Sequence, residues 1–420
     1  MRSILVLAYA VSPYRGSEYA VSWNYILNLS KDNRLTILYG TSGDHLGDSE
    51  ELENYLKINQ INNVTFVHVA PSKWTNILNA LNKKNIFNYS FYWAYKSWHL
   101  QVYRELNDLV SLETIDIIHF LCPIGYREPG FLWRNKIPYV WGPIGGVNNV
   151  PLCLFKILSV KGKIKYMIRN CVNYLQLRCN ISLKKCLKNV DVLLSSTTET
   201  RNKFLELYGK DSIYMPENCI SGTPHLNADK FKDEKLNILF VGRLDEGKGC
   251  ILLLRALSQI KTKGKIVLNI IGDGPVKHSL EQYAKDNDLT EVVRFHGKLP
   301  RAKVLSMYDT AHLHVITSLS EANTTVIWEA MEHGVPTLTL DHCGMHDLVN
   351  AECGIKIKIV SVEQIIQDIA SEIESLIANP VRVQSMASAT IKQSELYLWD
   401  RRKEQLNSIY DKLLATHQDS

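Results

Sequence analysis

Twelve short runs rich in branched apolar residues, each separated from the next by a helix-patterned stretch, constrain this chain most. The first half offers RSILVLAYA, RLTILYG, NVTFVHV, DIIHFL, IPYVWG and DVLLSS. The second offers LNILFVGRL, KIVLNIIG, VVRFHGKL, LHVITS, VPTLTL and GIKIKI. Strands alternating with helices imply parallel sheets covered on both faces. The series restarts near Leu236, after the irregular stretch PENCISGTPHLNADKFKDEK. At 420 residues the chain exceeds one ordinary core and suits two. The expected class is α/β, with two doubly wound, Rossmann-like domains facing across a cleft at the carboxyl ends of their strands. The domains are 1–215 and 216–395, and 396–420 forms a C-terminal helix free to pack back on the first.

Composition narrows the class. Apolar residues make up 45% and charged residues 22%, which suits a globular protein and argues against disorder. No apolar run approaches the roughly 20 residues that span a bilayer. The opening MRSILVLAYA reads as a strand, with polar SPYRGSE at once behind it, so no cleavable signal is expected. Nine cysteines without a CxxC pair argue against zinc or a disulfide framework and suit reduced thiols in a cytosol. The net charge of +5 is unevenly spread: residues 1–200 hold 22 Lys+Arg against 14 Asp+Glu, the remainder 26 against 29.

Three βα junctions in the second half carry chemistry. In FVGRLDEGKG (240–249), Gly242 and Gly249 let the backbone approach a ligand, and a helix from about Lys248 would aim its amides at the same spot. Arg243 and Lys248 add two cations suited to a diphosphate. A βα turn with solvated charges explains this stretch about as well. IIGDGPVKHSL (270–280) is a second glycine turn, with Gly272 in it and Pro275 at a first helical position. In SLSEANTTVIWEAMEHGVPTLTL (318–340), Thr325–His333 reads as a helix capped by Asn323 or Thr324 and ended by Gly334. Glu321 precedes that helix and Glu329 lies within it, so both could face one cleft and accept bonds from hydroxyl pairs.

In order and spacing, GRLDEGKG, GDGP and Glu321…Glu329-Ala330-Met331 resemble the retaining glycosyltransferases of family 4, which have the GT-B fold. The first half is similar to the subgroup with R-G-S-E (Arg15–Glu18), R-E-P-G (Arg127–Gly130) and W-G-P-x-G-G (Trp141–Gly146). The resemblance implies that Arg243 and Lys248 neutralise a donor diphosphate, that Glu329 binds the nucleotide ribose, and that Glu321 binds the transferred sugar. It places Gly16, Gly242 and Gly272 near the diphosphate and 296–299 near the base. Two departures matter. The family's E-G-F-G turn is here Glu321-Ala322-Asn323-Thr324, so Asn323 and Thr324 take positions held by glycines. A histidine common after the fifth strand is absent, which leaves the amides of Gly145 and Gly146, or His119, to serve on the acceptor side.

What the resemblance implies for function is a hexosyltransferase that moves sugar from a nucleotide-diphosphate donor to a polyprenyl-diphosphate-linked glycan, in O-antigen, capsule or exopolysaccharide synthesis. No cofactor and no metal are expected: the one DxD triplet, Asp286–Asp288, reads as a solvated helix end. A non-catalytic partner subunit of the same fold, or a scaffold of a glycan-assembly complex, is the alternative. Residues 151–190 hold nine basic residues and no acidic one, interleaved with apolar side chains, while 73–100 are crowded with Trp, Tyr and Phe. Both patterns suit attachment to an anionic membrane surface, on the inner face of the cell membrane. No nucleic-acid-binding module is recognisable, so nucleic acid is not an expected partner.

Overall fold

The computed structural model describes residues 1–84, 86–87 and 90–418. The chain forms two compact units, Met1–Val147 with Leu175–Glu217 and Asp400–Ser420, and Asn148–Tyr174 with Asn218–Trp399. None of the nine cysteines is in a disulfide.

The first unit holds a seven-stranded sheet: β1 (Ser3–Ala8), β2 (Arg34–Tyr39), β3 (Val64–His68), β4 (Ile117–Cys122), β5 (Tyr139–Ile144), β6 (Val192–Ser195) and β7 (Ile213–Tyr214). The second holds β8 (Leu236–Val241), β9 (Ile266–Ile271), β10 (Val293–Gly297), β11 (Leu313–Ile316), β12 (Thr337–Leu340) and β13 (Gly354–Ile357). Every run singled out in the sequence is a strand, and among the described residues only the two-residue β7 is additional. All pairs among these strands are parallel. The orders are β3-β2-β1-β4-β5-β6-β7 and β10-β9-β8-β11-β12-β13. Both are doubly wound: successive strands step from β1 or β8 to one edge, and the chain then returns to build the other side. At β1/β4 and at β8/β11 the connections therefore diverge, which opens a crevice at the strands' carboxyl ends.

Side-chain pattern explains the layers. Ile4–Ala8 and Ile117–Cys122 are almost wholly buried, as central strands with helices on both faces must be. The helix Cys250–Gln259 buries Leu252, Leu253, Leu254, Ala256 and Leu257 against that second sheet, each large side chain contributing roughly 1.5–3 kcal/mol.

Two boundaries differ from the sequence reading. Residues 148–174 cluster with the second unit, not the first; Val150, Leu154, Leu158 and Tyr166 insert into its core, a long-range packing preference that carries no local signal. The helix expected from Lys248 begins at Cys250, because Asp245 caps a short 3₁₀ turn at Glu246–Lys248 and Gly249 adopts φ 62°. The helix Trp399–Gln418 packs within the first unit from Asp400 onward. There Arg402 donates to Tyr25 Oη at 3.0 Å and Arg2 donates to Asp411 at 2.9 Å.

Candidate functional site

In the second unit the divergence point lies between β8 and β11, so the loops after these strands are neighbours. Leu319 N–H donates to the Gly247 carbonyl (2.8 Å) and Thr317 Oγ1 to that of Lys248 (3.1 Å). A Cβ on Gly249 would lie 2.3 Å from the Thr317 carbonyl oxygen, so only glycine permits this approach. These ties bring Lys248 against Glu321, and the two side chains form an ion pair, both partly buried. Glu321 Oε2 is buried and, among the described residues, has no hydrogen-bond partner.

The second glycine turn lies on the first. Leu244 N–H donates to Asp273 O (3.0 Å) and Val276 N–H to Leu244 O (3.1 Å). Gly272 has φ 140°, and a Cβ there would sit 1.8 Å from the Gly242 carbonyl oxygen. Gly272 is thus required for the packing of the two loops. Pro275 falls in the turn before the helix Lys277–Asp286, not at its first position.

Together these loops wall a cavity of about 800 Å³, lined by Gly242, Arg243, Gly272, Gly274, Lys298 and Leu299 among others. The Arg243 side chain is largely exposed and stands 3.6 Å from Asp245. The Lys248 stem lies 3.8 Å from where a Gly242 Cβ would be. Of the stretch 296–299, Lys298 and Leu299 line the cavity, whereas His296 Nε2 contacts Asn269 Oδ1 at 2.7 Å.

The helix Thr325–Glu332 begins as expected, with Thr324 at its N-cap, but no side-chain cap bond forms. Asn323 lies beside Gly344. Ala330 belongs to the apolar cluster against which Val241, Leu299 and Val304 of the cavity lining pack. Glu329, just before it, is paired with Arg301 at 3.2 Å. Burial raises the Glu329 pKa above the usual range, with Arg301 opposing the rise.

The first-unit candidates fare differently. Gly16 lies in the loop after β1, and a Cβ there would meet nothing within 4 Å. Gly145 and Gly146 were expected to offer amides, but the Gly145 N–H already donates to Ile124 O at 2.9 Å. His119 is wholly buried on β4, and its ring nitrogens contact Tyr410 Oη (2.6 Å) and Gly142 O (2.7 Å). Burial lowers its pKa to about 4, so it is a neutral core residue. Two acids missed in the sequence stand near the β1/β4 divergence. Glu18 accepts bonds from Ile124 N–H and Tyr95 Oη, both at 3.4 Å, and burial raises its pKa. Glu128 is pushed up to about 7 by burial, Lys96 opposing. Their motifs, RGSE and REPG, were the available signal.

The 148–174 segment was also missed. Ser159 N–H donates to Glu246 Oε1 (2.9 Å), and Tyr166 lies so close to Gly247 that a Cβ there would sit 2.4 Å from its hydroxyl. The segment braces the 240–249 loop from outside.

Residues 224–393 match the family described as glycosyl transferases group 1. The chain is similar to the D-inositol 3-phosphate glycosyltransferase of Rhodococcus erythropolis, 24% identical over 54% of this chain and 55% of that one. It is also similar to WcaL of Escherichia coli K12, a glycosyltransferase named for colanic acid biosynthesis, 31% identical over 28% and 30%. The chain spans about half the length or less of these curated relatives. Among solved structures, Anabaena HepE in complex with UDP superposes with a TM-score of 0.62 at 15% identity, over 98% of this chain and all of that one. The fold is the α/β GT-B fold of glycosyltransferases, and the second unit contains a glycosyltransferase domain.

Proposed function

From a group 1 glycosyltransferase domain in the second unit, we propose that this protein transfers a hexose, with retention, from a nucleoside-diphosphate sugar to a glycan acceptor of a bacterial surface polysaccharide. The observation that carries this reading is a glycine-walled cavity lined by Arg243, with the Lys248 stem beside Gly242 in its wall and Lys248 paired with Glu321. Two cations beside backbone that can approach closely suit a diphosphate. The unpartnered, buried Oε2 of Glu321 suits a sugar hydroxyl, since a buried acceptor is normally bonded. Glu329, Asn323 and Thr324 complete the donor-side set. A UDP donor is favoured by the likeness to the UDP-bound HepE structure, and a polysaccharide product by the likeness to WcaL.

In the reaction the donor's C1–O bond breaks and its electron pair passes to the departing diphosphate, where Arg243 and Lys248 meet the charge. Electrostatic stabilisation of that kind is usually the largest catalytic contribution. An acceptor hydroxyl oxygen bonds to C1 on the face the diphosphate leaves, and its proton passes to a diphosphate oxygen. No metal is required in this scheme. Incubating the purified protein with UDP-, GDP- and ADP-hexoses tests it. Hydrolysis of one nucleotide class well above the others is expected; release from none, with or without a lipid-linked acceptor, would sink the reading.

Attachment to an anionic membrane surface belongs to the same proposal. No described helix is long and apolar enough to cross a membrane. The helix Val160–Cys179 instead exposes Val160, Ile164, Met167, Ile168, Tyr174 and Leu175, spaced as one stripe, with Lys161, Lys163, Lys165 and Arg169 around it. Trp74 and Trp93 are also exposed, whereas Tyr95 and Trp98, part of the same aromatic run, are core; Asn85, Asn88 and Tyr89 of that run lie outside the described residues. Sedimentation with anionic liposomes at low salt is expected, and replacing Lys161, Lys163 and Lys165 by glutamine should abolish most of it. Equal binding by that variant, or none by the parent, would refute attachment.

A further inference from the structure

At the far end of the Glu329 helix lies a cluster that the donor site does not use. His225 Nε2 stands 3.0 Å from Asp309 Oδ1 and His333 Nδ1 stands 2.7 Å from the same oxygen. The three ligand-capable atoms all lie within 4.8 Å of one another. The residues come from three separate elements: the segment before β8, the end of the helix Arg301–Tyr308, and the C-cap of Thr325–Glu332. Convergence of two imidazoles and a carboxylate from distant parts of a chain has no counterpart in local propensity.

The second nitrogen of His225 gives an independent pointer. Its Nδ1 stands 3.2 Å from the Thr223 carbonyl oxygen, to which it can donate. Donation there leaves Nε2 facing a carboxylate oxygen, a contact made favourable by a proton on Nε2 or by a metal cation shared between the two atoms. Imidazole ligands of metals characteristically donate their other N–H to a carbonyl in this way, which fixes tautomer and ring orientation.

We propose that His225, Asp309 and His333 bind one divalent transition-metal ion of the zinc type. Two nitrogens and one oxygen are suitable donors for such an ion, with the fourth, tetrahedral position left to water. His225 is exposed and Asp309 half-exposed, so solvent reaches the site, while His333 is buried and fixed against Tyr308, ring centroids 5.8 Å apart. Donors of a tetrahedral zinc stand about 3.3 Å apart at ordinary bond lengths. The observed 3.0 and 2.7 Å need a small outward shift, and the two imidazole nitrogens, within 4.8 Å of each other, must reach the same spacing, an adjustment that falls to the loop-borne His225. The ion would staple the 218–227 segment to the helix carrying Glu329. That segment already leans on the helix end, His225 N–H donating to Glu332 O at 2.8 Å and Gly222 N–H to Glu332 Oε2 at 3.2 Å.

The site stands apart from the proposed transfer reaction and is tested without it. The full chain, stripped with a chelator and dialysed, is titrated with zinc in a calorimeter, and cobalt(II) absorption reports coordination. One ion per chain with a tetrahedral cobalt spectrum is expected. His225→Ala, on an exposed loop, and Asp309→Asn should each weaken binding at least tenfold, and His278→Ala, at an exposed histidine elsewhere, should not. Affinity should fall at acid pH, because protons compete for the imidazoles. Absence of saturable binding by the parent chain, or parent-like affinity in folded His225→Ala, overturns the proposal.

Discussion

Lys248→Ala is expected to lower kcat by about 10²–10³-fold with little change in the unfolding midpoint, the loss typical when one preorganised charge is removed from a developing anion. The geometry makes the prediction specific. Lys248 lies on the Gly242 backbone at the cavity wall and pairs with Glu321 across the β8/β11 divergence. On the proposed reading its loss removes a diphosphate cation, and it also frees the carboxylate it holds. Nucleotide diphosphate should bind the variant more weakly, measurably by calorimetry. Glu321→Gln keeps the shape and one acceptor oxygen but loses the charge; it should depress turnover while leaving nucleotide affinity near the parent's. Because the two side chains touch, the double variant should lose less than the two single losses combined. Parent-like turnover in either single variant would remove that residue from the site.

Glu128→Gln should stabilise the protein at pH 8 by about 3 kcal/mol and leave it unchanged near pH 4. Burial raises the Glu128 pKa to about 7 from an ordinary value near 4.5, and each tenfold difference in proton affinity between the folded and unfolded states corresponds to about 1.4 kcal/mol. The folded state holds this proton more tightly than the unfolded one. Stability from that difference is fully present below about pH 4.5 and is lost as pH rises towards 7. Glutamine has no proton to lose, so its advantage should open over that window. Urea midpoints of both proteins across pH 4–8 measure it. A gap that is constant with pH would mean the carboxyl is not the titrating group.

How much of this was legible in the chain can be judged residue by residue. The strand runs were clear because a strand buried on both faces needs a continuous apolar run, and a glycine turn at its end is equally visible. Arg243, Lys248, Glu321 and the two glycine turns were placed in the junctions after β8, β9 and β11 by the sequence, and strand order then made those junctions neighbours. His119 was ambiguous: a histidine at a strand end looks the same whether it faces a ligand or, as here, Tyr410 and Gly142. The Gly145 amide was likewise offered to a ligand but is used by Ile124.

By itself the sequence determined what is local: periodicity, turn chemistry, and the supply of charge at each βα junction, all set by side chains a few positions apart. The tertiary structure alone decided which distant groups meet. It put 148–174 into the second unit against Glu246 and Gly247, closed Lys248 on Glu321, and gathered His225, Asp309 and His333. Such meetings arise from burying apolar surface over the whole unit, a sum to which no short stretch of chain carries the answer.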